Sequence, residues 1–205
     1  MDAPEDIQYV PEEQTILVTA DTYLKSGIHI GTKFRTKSMM PFIYKTRPDG
    51  LSVLDIKKID TKLAEFADFV ARYAPEDILV VSRRENGWKP VKMFGQVTGC
   101  KYFAGRYPPG MLTNPSLEIY QEAKLVIAVD AWPDRNAIAD AKKVGVPVAA
   151  LCDTNNTDFN IDFVMPANNK GKKSLGLVFW VLAKEYAKRR NLPEVTATLE
   201  DFTEE

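Results

Sequence analysis

The stretch from Leu125 to Leu151 reads LVIAVDAWPDRNAIADAKKVGVPVAAL. Leu125 to Val129 is an unbroken apolar run, too short for a helix and rich in β-branched side chains, as a strand covered on both faces must be. Pro133 stands where a helix would begin, because a first-turn proline sacrifices no hydrogen-bonded N–H. Gly145 is a natural stop, since glycine accepts the left-handed conformation that closes helices. Val146 to Leu151 then predicts a second buried strand. A strand, a helix and a strand in this order point to parallel pairing with helices over the sheet.

The same texture extends in both directions. Ile78–Ser82 (ILVVS) predicts another buried strand, followed by a helix from Pro90 to about Gly99. Upstream, the turn signal Pro48-Asp49-Gly50 precedes an apolar strand over Leu51–Ile56. Asp60 is placed to N-cap a helix whose stripe is Leu63, Phe66, Val70 and Tyr73, stopped by Pro75. Downstream lie a short strand over Phe163–Met165 and a long helix capped by Ser174. That helix carries one apolar face of Leu175, Val178, Phe179, Leu182, Ala183 and Tyr186. The expected fold is therefore α/β: a flavodoxin-like, three-layer, doubly wound and mostly parallel sheet of about five strands. The chain of 205 residues is long enough to bury a core of its own.

Charge divides the chain differently. Residues 1–21 hold six acids and no base, and residues 194–205 hold five acids and no base. All 27 lysines and arginines lie between them against 17 acids, so a body of about +10 sits between ends that together carry −11. The expected organisation is an acidic N-terminal arm over 1–15, a single domain over 16–192 and an acidic C-terminal tail over 193–205. No apolar run reaches the length of a bilayer-crossing helix and no leader is evident, and Cys100 and Cys152 form no CxxC pair. The expectation is a cytoplasmic protein with both thiols reduced.

Catalytic patterns fail one by one. No GxGxxG follows a strand. Gly171-Lys172-Lys173-Ser174 has the end of a phosphate-binding loop, but Pro166 stands where its first glycine belongs. His29-Ile30-Gly31-Thr32 lacks the second imidazole of an HxGH nucleotidyl-transfer pair, and His29 is the only histidine. Asp153 to Asp162 is rich in Asx residues, yet Asp158 occupies the obligatory glycine position of a calcium loop and Val164 the position of its bidentate glutamate. A turn held by Asx side chains accounts for it. No catalytic residue, metal site or cofactor is expected.

The cationic clusters are more informative. Lys25, Lys33, Arg35, Lys37, Lys45 and Arg47 fall in a stretch without an acid, interleaved with Phe34, Phe42 and Tyr44. Arg83, Arg84, Lys89, Lys92, Lys101 and Arg106 surround Glu85 alone, with Trp88, Tyr102 and Phe103 between them. Cations neutralise phosphates and exposed rings stack on unpaired bases, so both clusters point to nucleic acid. Lys170, Lys172 and Lys173 precede Ser174, where a helix N-terminus already favours anions.

Five ordered motifs identify the pattern: Tyr23–Thr32 (YLKSGIHIGT), Lys45–Gly50 (KTRPDG), Gly105–Pro115 (GRYPPGMLTNP), Pro147–Asn155 (PVAALCDTN) and Ile161–Pro166 (IDFVMP). Over about residues 16–190 the chain resembles the universal second protein family of the small ribosomal subunit, which includes the laminin receptor precursor. Asn168–Gly171 (NNKG) resembles the archaeal and eukaryotic form. The helical hairpin of bacterial members and the longer C-terminal extension of eukaryotic ones are both missing, so the resemblance is to archaeal members. It implies a flavodoxin-like core and a structural role in the small subunit. There the family binds small-subunit ribosomal RNA between head and body and touches neighbouring ribosomal proteins. The RNA-binding residues expected on this basis are Lys25, His29, Lys33, Arg35, Lys37, Lys45, Arg47, Arg83, Arg84, Trp88, Lys89, Lys92, Arg106, Lys170, Lys172 and Lys173. The alternative reading from the fold alone is an α/β enzyme that binds a nucleotide or phosphometabolite beyond the strand C-termini.

Overall fold

The computed structural model describes residues 17–203. In chain order they form α1 (Ala20–Ser26), β1 (Ile43–Thr46), β2 (Ser52–Leu54), α2 (Ile56–Val70), β3 (Ile78–Ser82), α3 (Trp88–Thr98), β4 (Lys101–Ala104), β5 (Leu125–Ala128), α4 (Arg135–Lys143), β6 (Val148–Cys152), β7 (Phe163–Pro166), α5 (Lys172–Arg190) and α6 (Leu199–Thr203). The main sheet has five strands, all parallel, in the order β4-β3-β5-β6-β7. This is the flavodoxin-like order, with its reversal of direction between β3 and β5.

Alternation along each strand divides the core. Ile78, Val80, Leu125, Ile127, Ala149 and Leu151 face one side, packed against α2, α3 and α5. Leu79, Val81, Val126, Ala128, Val148 and Ala150 face the other, where Ala137, Ile138 and Ala141 of α4 join Tyr107, Met111 and Leu112 of the long β4–β5 connection. On α2, Ile59, Leu63, Phe66 and Val70 are all fully buried, each contributing about 2 kcal/mol on transfer grounds.

Three expectations are corrected. Leu51–Ile56 does not enter the parallel sheet: β2 covers only Ser52–Leu54 and pairs antiparallel with β1 in a separate hairpin. The fifth strand of the main sheet is β4, at its edge. Its residues are half-buried and exposed in alternation, so Lys101–Ala104 lacks the apolar run that betrays an interior strand. Asp60 is not a cap. Asp55 is, accepting from the Lys57 N–H at 3.0 Å, while Asp60 lies inside the helix and accepts from Tyr23 Oη at 2.7 Å and Leu17 N at 3.1 Å. Ser174 is likewise inside α5, whose N-cap is Gly171. Its hydroxyl donates to the Asn168 carbonyl at 2.6 Å.

Residues 193–203 lie against the domain. Phe202 is fully buried and Val195 nearly so, and Trp180 Nε1 donates to the Ala197 carbonyl at 3.0 Å. A Cβ at Gly176 would meet Thr203 Cγ2 at 2.3 Å, so the missing side chain is what lets α6 dock on α5. The charge boundary at 192 is thus not a packing boundary. The arm over 1–15 falls outside the described residues.

Candidate nucleic-acid interface

In a parallel sheet every strand delivers its loop to the same edge. Here that edge collects the loops after β3 (Arg83, Arg84), β4 (Gly105, Arg106), β5 (Asp130 to Asp134), β6 (Asp153 to Asn160) and β7 (Ala167 to Gly171). The acid-poor segment after α1 is laid over them. Asn168 N donates to the Ile28 carbonyl at 2.9 Å, Thr32 N to Thr154 Oγ1 at 2.9 Å and Thr36 N to the Thr154 carbonyl at 3.0 Å. The fit requires Gly31, where a Cβ would lie 2.4 Å from Thr154 Cγ2 and 2.9 Å from the Ser52 carbonyl oxygen.

Beneath the surface lies a polar network. At the reversal point between β3 and β5, Arg84 Nε and Nη2 each reach Asp130 Oδ2 at 2.5 Å. Asp130 Oδ1 accepts from Trp132 N at 3.0 Å and from Asn156 Nδ2 at 2.9 Å. Asp134 accepts from the Arg83 and Asp130 N–H groups at 2.8 and 3.1 Å. Asn169 Nδ2 donates to Asn156 Oδ1 at 3.0 Å. Lys170 Nζ pairs with Asp153 and donates to Asn155 Oδ1 at 2.9 Å. The Asx residues of the β6 loop hold its turn: Thr154 N donates to Asp153 Oδ1 at 2.6 Å, and Asp153 N to Asn156 Oδ1 at 2.8 Å.

Asp130, Asp134 and Asp153 are each 1% exposed. Burial raises the Asp134 carboxyl to about 7, with the Asp130 charge adding to the rise, while the Asp130 and Arg83 N–H groups and the Arg84 charge oppose it. The crevice that holds phosphates in other doubly wound sheets is therefore filled by carboxylates and amides of this chain. Among the described residues, no group of three or more His, Cys, Asp or Glu is placed to hold a metal ion.

The expected contact residues divide by position. Lys33, Arg35, Lys37, Arg83, Arg106 and Lys173 are exposed at or beside the strand edge. Arg84 and Lys170 are half-buried and bound to internal carboxylates. Lys172 occupies the first turn of α5 with Lys173. Lys25 is exposed in the last turn of α1. Lys45 and Arg47 stand on the hairpin, joined to the edge segment by the bridge between Ile30 and Val53, and Arg47 pairs with Asp49 at 3.4 Å. Trp88, Lys89 and Lys92 lie on α3, with Trp88 42% exposed. His29 is half-buried, and burial lowers its pKa. Its Nδ1 has no hydrogen-bond partner among the described residues.

Several participants were not evident beforehand. Asp130, Asp134 and Asn169 support the edge from within, and Arg135, Trp132 and Phe159 project from it. A signal for the first kind existed, because Asp130 and Asp153 each follow directly on a buried strand run. Trp132 and Phe159 are isolated in sequence, and no local pattern marks them.

Known proteins share this chain's pattern. A family model described as ribosomal protein S2 matches residues 23–124 and 117–188. The small ribosomal subunit protein uS2 of Nanoarchaeum equitans is 48% identical over 176 residues, which cover 86% of this chain and 88% of that one. The protein of the same name from Methanococcus maripaludis is 46% identical over 194 residues, covering 94% and 88%. That of Thermoplasma volcanium is 44% identical over 195 residues, covering 93% and 98%.

Proposed function

Since the chain belongs to the ribosomal protein S2 family, we propose that it is a structural constituent of the small ribosomal subunit. In this role it binds small-subunit ribosomal RNA between head and body, in the cytoplasm, alongside neighbouring ribosomal proteins. The observation that carries the reading is the distribution of charge at the strand C-terminal edge. Asp130, Asp134 and Asp153 are turned inward and neutralised or hydrogen-bonded, leaving Lys33, Arg35, Lys37, Arg83 and Arg106 exposed there against Glu85 and Asp158. Such a surface attracts a polyanion with little opposing charge. The exposed carboxylates of Glu194, Glu200 and Asp201 lie on the C-terminal tail, so that tail faces protein or solvent rather than phosphate.

The same network disfavours the enzymatic alternative. A phosphate entering at the reversal point would meet the Asp130 and Asp134 carboxylates rather than a nest of free N–H groups, and the chain acts without cofactor or catalysis. The test is sedimentation of the tagged chain through a sucrose gradient, paired with binding of the purified, RNA-free chain to a small-subunit RNA transcript. Co-migration with small subunits and an affinity that falls steeply with salt are expected. Free protein throughout the gradient, with no affinity for the transcript, would refute the assignment.

A further inference from the structure

An open groove of about 820 Å³ runs across the strand edge between the loops after α1, β5 and β6. Three large rings line it and face water: Phe34 is 79% exposed, Trp132 71% and Phe159 78%. Exposed apolar surface gathered in one place, rather than scattered singly, marks a binding surface. Among the described residues lining the groove are Arg35 and Arg135 but no carboxylate, together with amide side chains including Asn136 and Asn155. Arg135 makes no ion pair among the described residues.

We infer that this groove takes unpaired nucleotides of the small-subunit RNA, stacking bases on Phe34, Trp132 and Phe159 while Arg35 and Arg135 neutralise phosphates. The inference rests on the RNA-binding reading above and deepens it by naming a single-stranded subsite. Aromatic rings, guanidinium groups and amides without acids make up the chemistry that recognises splayed bases. A duplex buries its base faces and offers nothing to three such rings.

The groove is also built in advance. Thr36 Oγ1 donates to the Asn156 carbonyl at 2.6 Å, tying the Phe34 loop to the Phe159 loop. Asp130 Oδ1 accepts from both Trp132 N and Asn156 Nδ2, tying the Trp132 loop to the same turn. Asp158, on that loop, is engaged by the Ser38 hydroxyl at 2.7 Å. Rings held on loops already cross-linked lose little further freedom on binding, which favours affinity.

The test uses the full-length purified chain with three probes: a ten-residue oligoadenylate, a blunt RNA duplex of equal length and a small-subunit RNA transcript. Phe34→Ala, Trp132→Ala and Phe159→Ala combined should weaken oligoadenylate binding by about 10- to 100-fold. Duplex binding and the salt slope should be unchanged, because the cations remain. The aromatic-retaining triple variant Phe34→Tyr, Trp132→Phe and Phe159→Tyr should bind as the parent does, and thermal melting of each variant checks that it folds. Equal oligoadenylate affinity in the alanine variant, or equal losses on single strand and duplex, would overturn the inference while leaving RNA binding intact. So would poor incorporation into subunits with every RNA affinity normal, since the groove would then hold a protein. If the parent binds none of the probes, the RNA-binding reading fails and the inference fails with it.

Discussion

Charge reversal at Arg83 and at Arg84 should have very unequal structural consequences, although the two residues are adjacent and follow the same strand. Arg83 contributes to the fold only through its backbone N–H, which donates to Asp134 Oδ1 at 2.8 Å. Its side chain is exposed, so Arg83→Glu should change stability by no more than about 0.5 kcal/mol. Arg84 places Nε and Nη2 on the buried Asp130 Oδ2, with 31% of its own side chain exposed against 2% for Asp130. Each charge-assisted bond contributes about 1.5–3 kcal/mol, and solvent at the Arg84 rim returns part of that. Arg84→Glu also sets a like charge against Asp130. The net loss should be about 3 kcal/mol, lowering Tm by about 6–12 °C in a chain of this size. Urea unfolding and calorimetry on both variants at pH 7.5, beside RNA titrations, read the difference. Both should bind small-subunit RNA more weakly, but only Arg84→Glu should melt early. An Arg84→Glu protein within about 1 kcal/mol of the parent, or an Arg83→Glu protein equally destabilised, would refute the view that this ion pair closes the reversal point.

Asp134 predicts a pH dependence. Its folded pKa of about 7 lies above the ordinary carboxyl value of 3.8, so the folded state holds a proton that the unfolded state releases between these values. Its contribution to stability is therefore fully present below about pH 4 and lost as pH rises towards 7, by up to about 4 kcal/mol. Asp134→Asn should flatten that part of the pH–stability curve, and an unchanged slope would show that burial does not govern this group. Gly31→Ala drives a methyl into Thr154 and the Ser52 carbonyl. It should cost about 1–3 kcal/mol and raise amide exchange selectively over residues 28–38; uniform protection would contradict the docking described. Phe202→Ala empties a fully buried site against α5. It should expose residues 195–203 to limited proteolysis while leaving the exchange of β5 and β6 amides intact, and a cleavage pattern like the parent's would count against that packing.

Local pattern was sufficient for the interior of this protein. Ile78–Ser82 is β3 as read, and the runs at 125–129 and 146–151 became β5 and β6 with ends moved by one or two residues, because strands covered on both faces must be apolar at every position. Glycines at 99 and 145 close their segments with φ of +78° and +75°, as their lack of a side chain permits. Edge and boundary features were less legible. β4 alternates because one side of it meets solvent, and α5 is apolar on more than one face because α6, from the acidic tail, covers it. The cationic segments were visible as composition, since charge needs no fold to be counted. Which cations stand free is a tertiary fact: Arg84 and Lys170 turn inward only because parallel strands bring Asp130 and Asp153, distant in sequence, to the same edge. The groove was invisible for the same reason. Phe34, Trp132 and Phe159 lie on three loops, with 98 positions from the first ring to the second and 27 from the second to the third, and only the shared edge of the sheet sets them side by side.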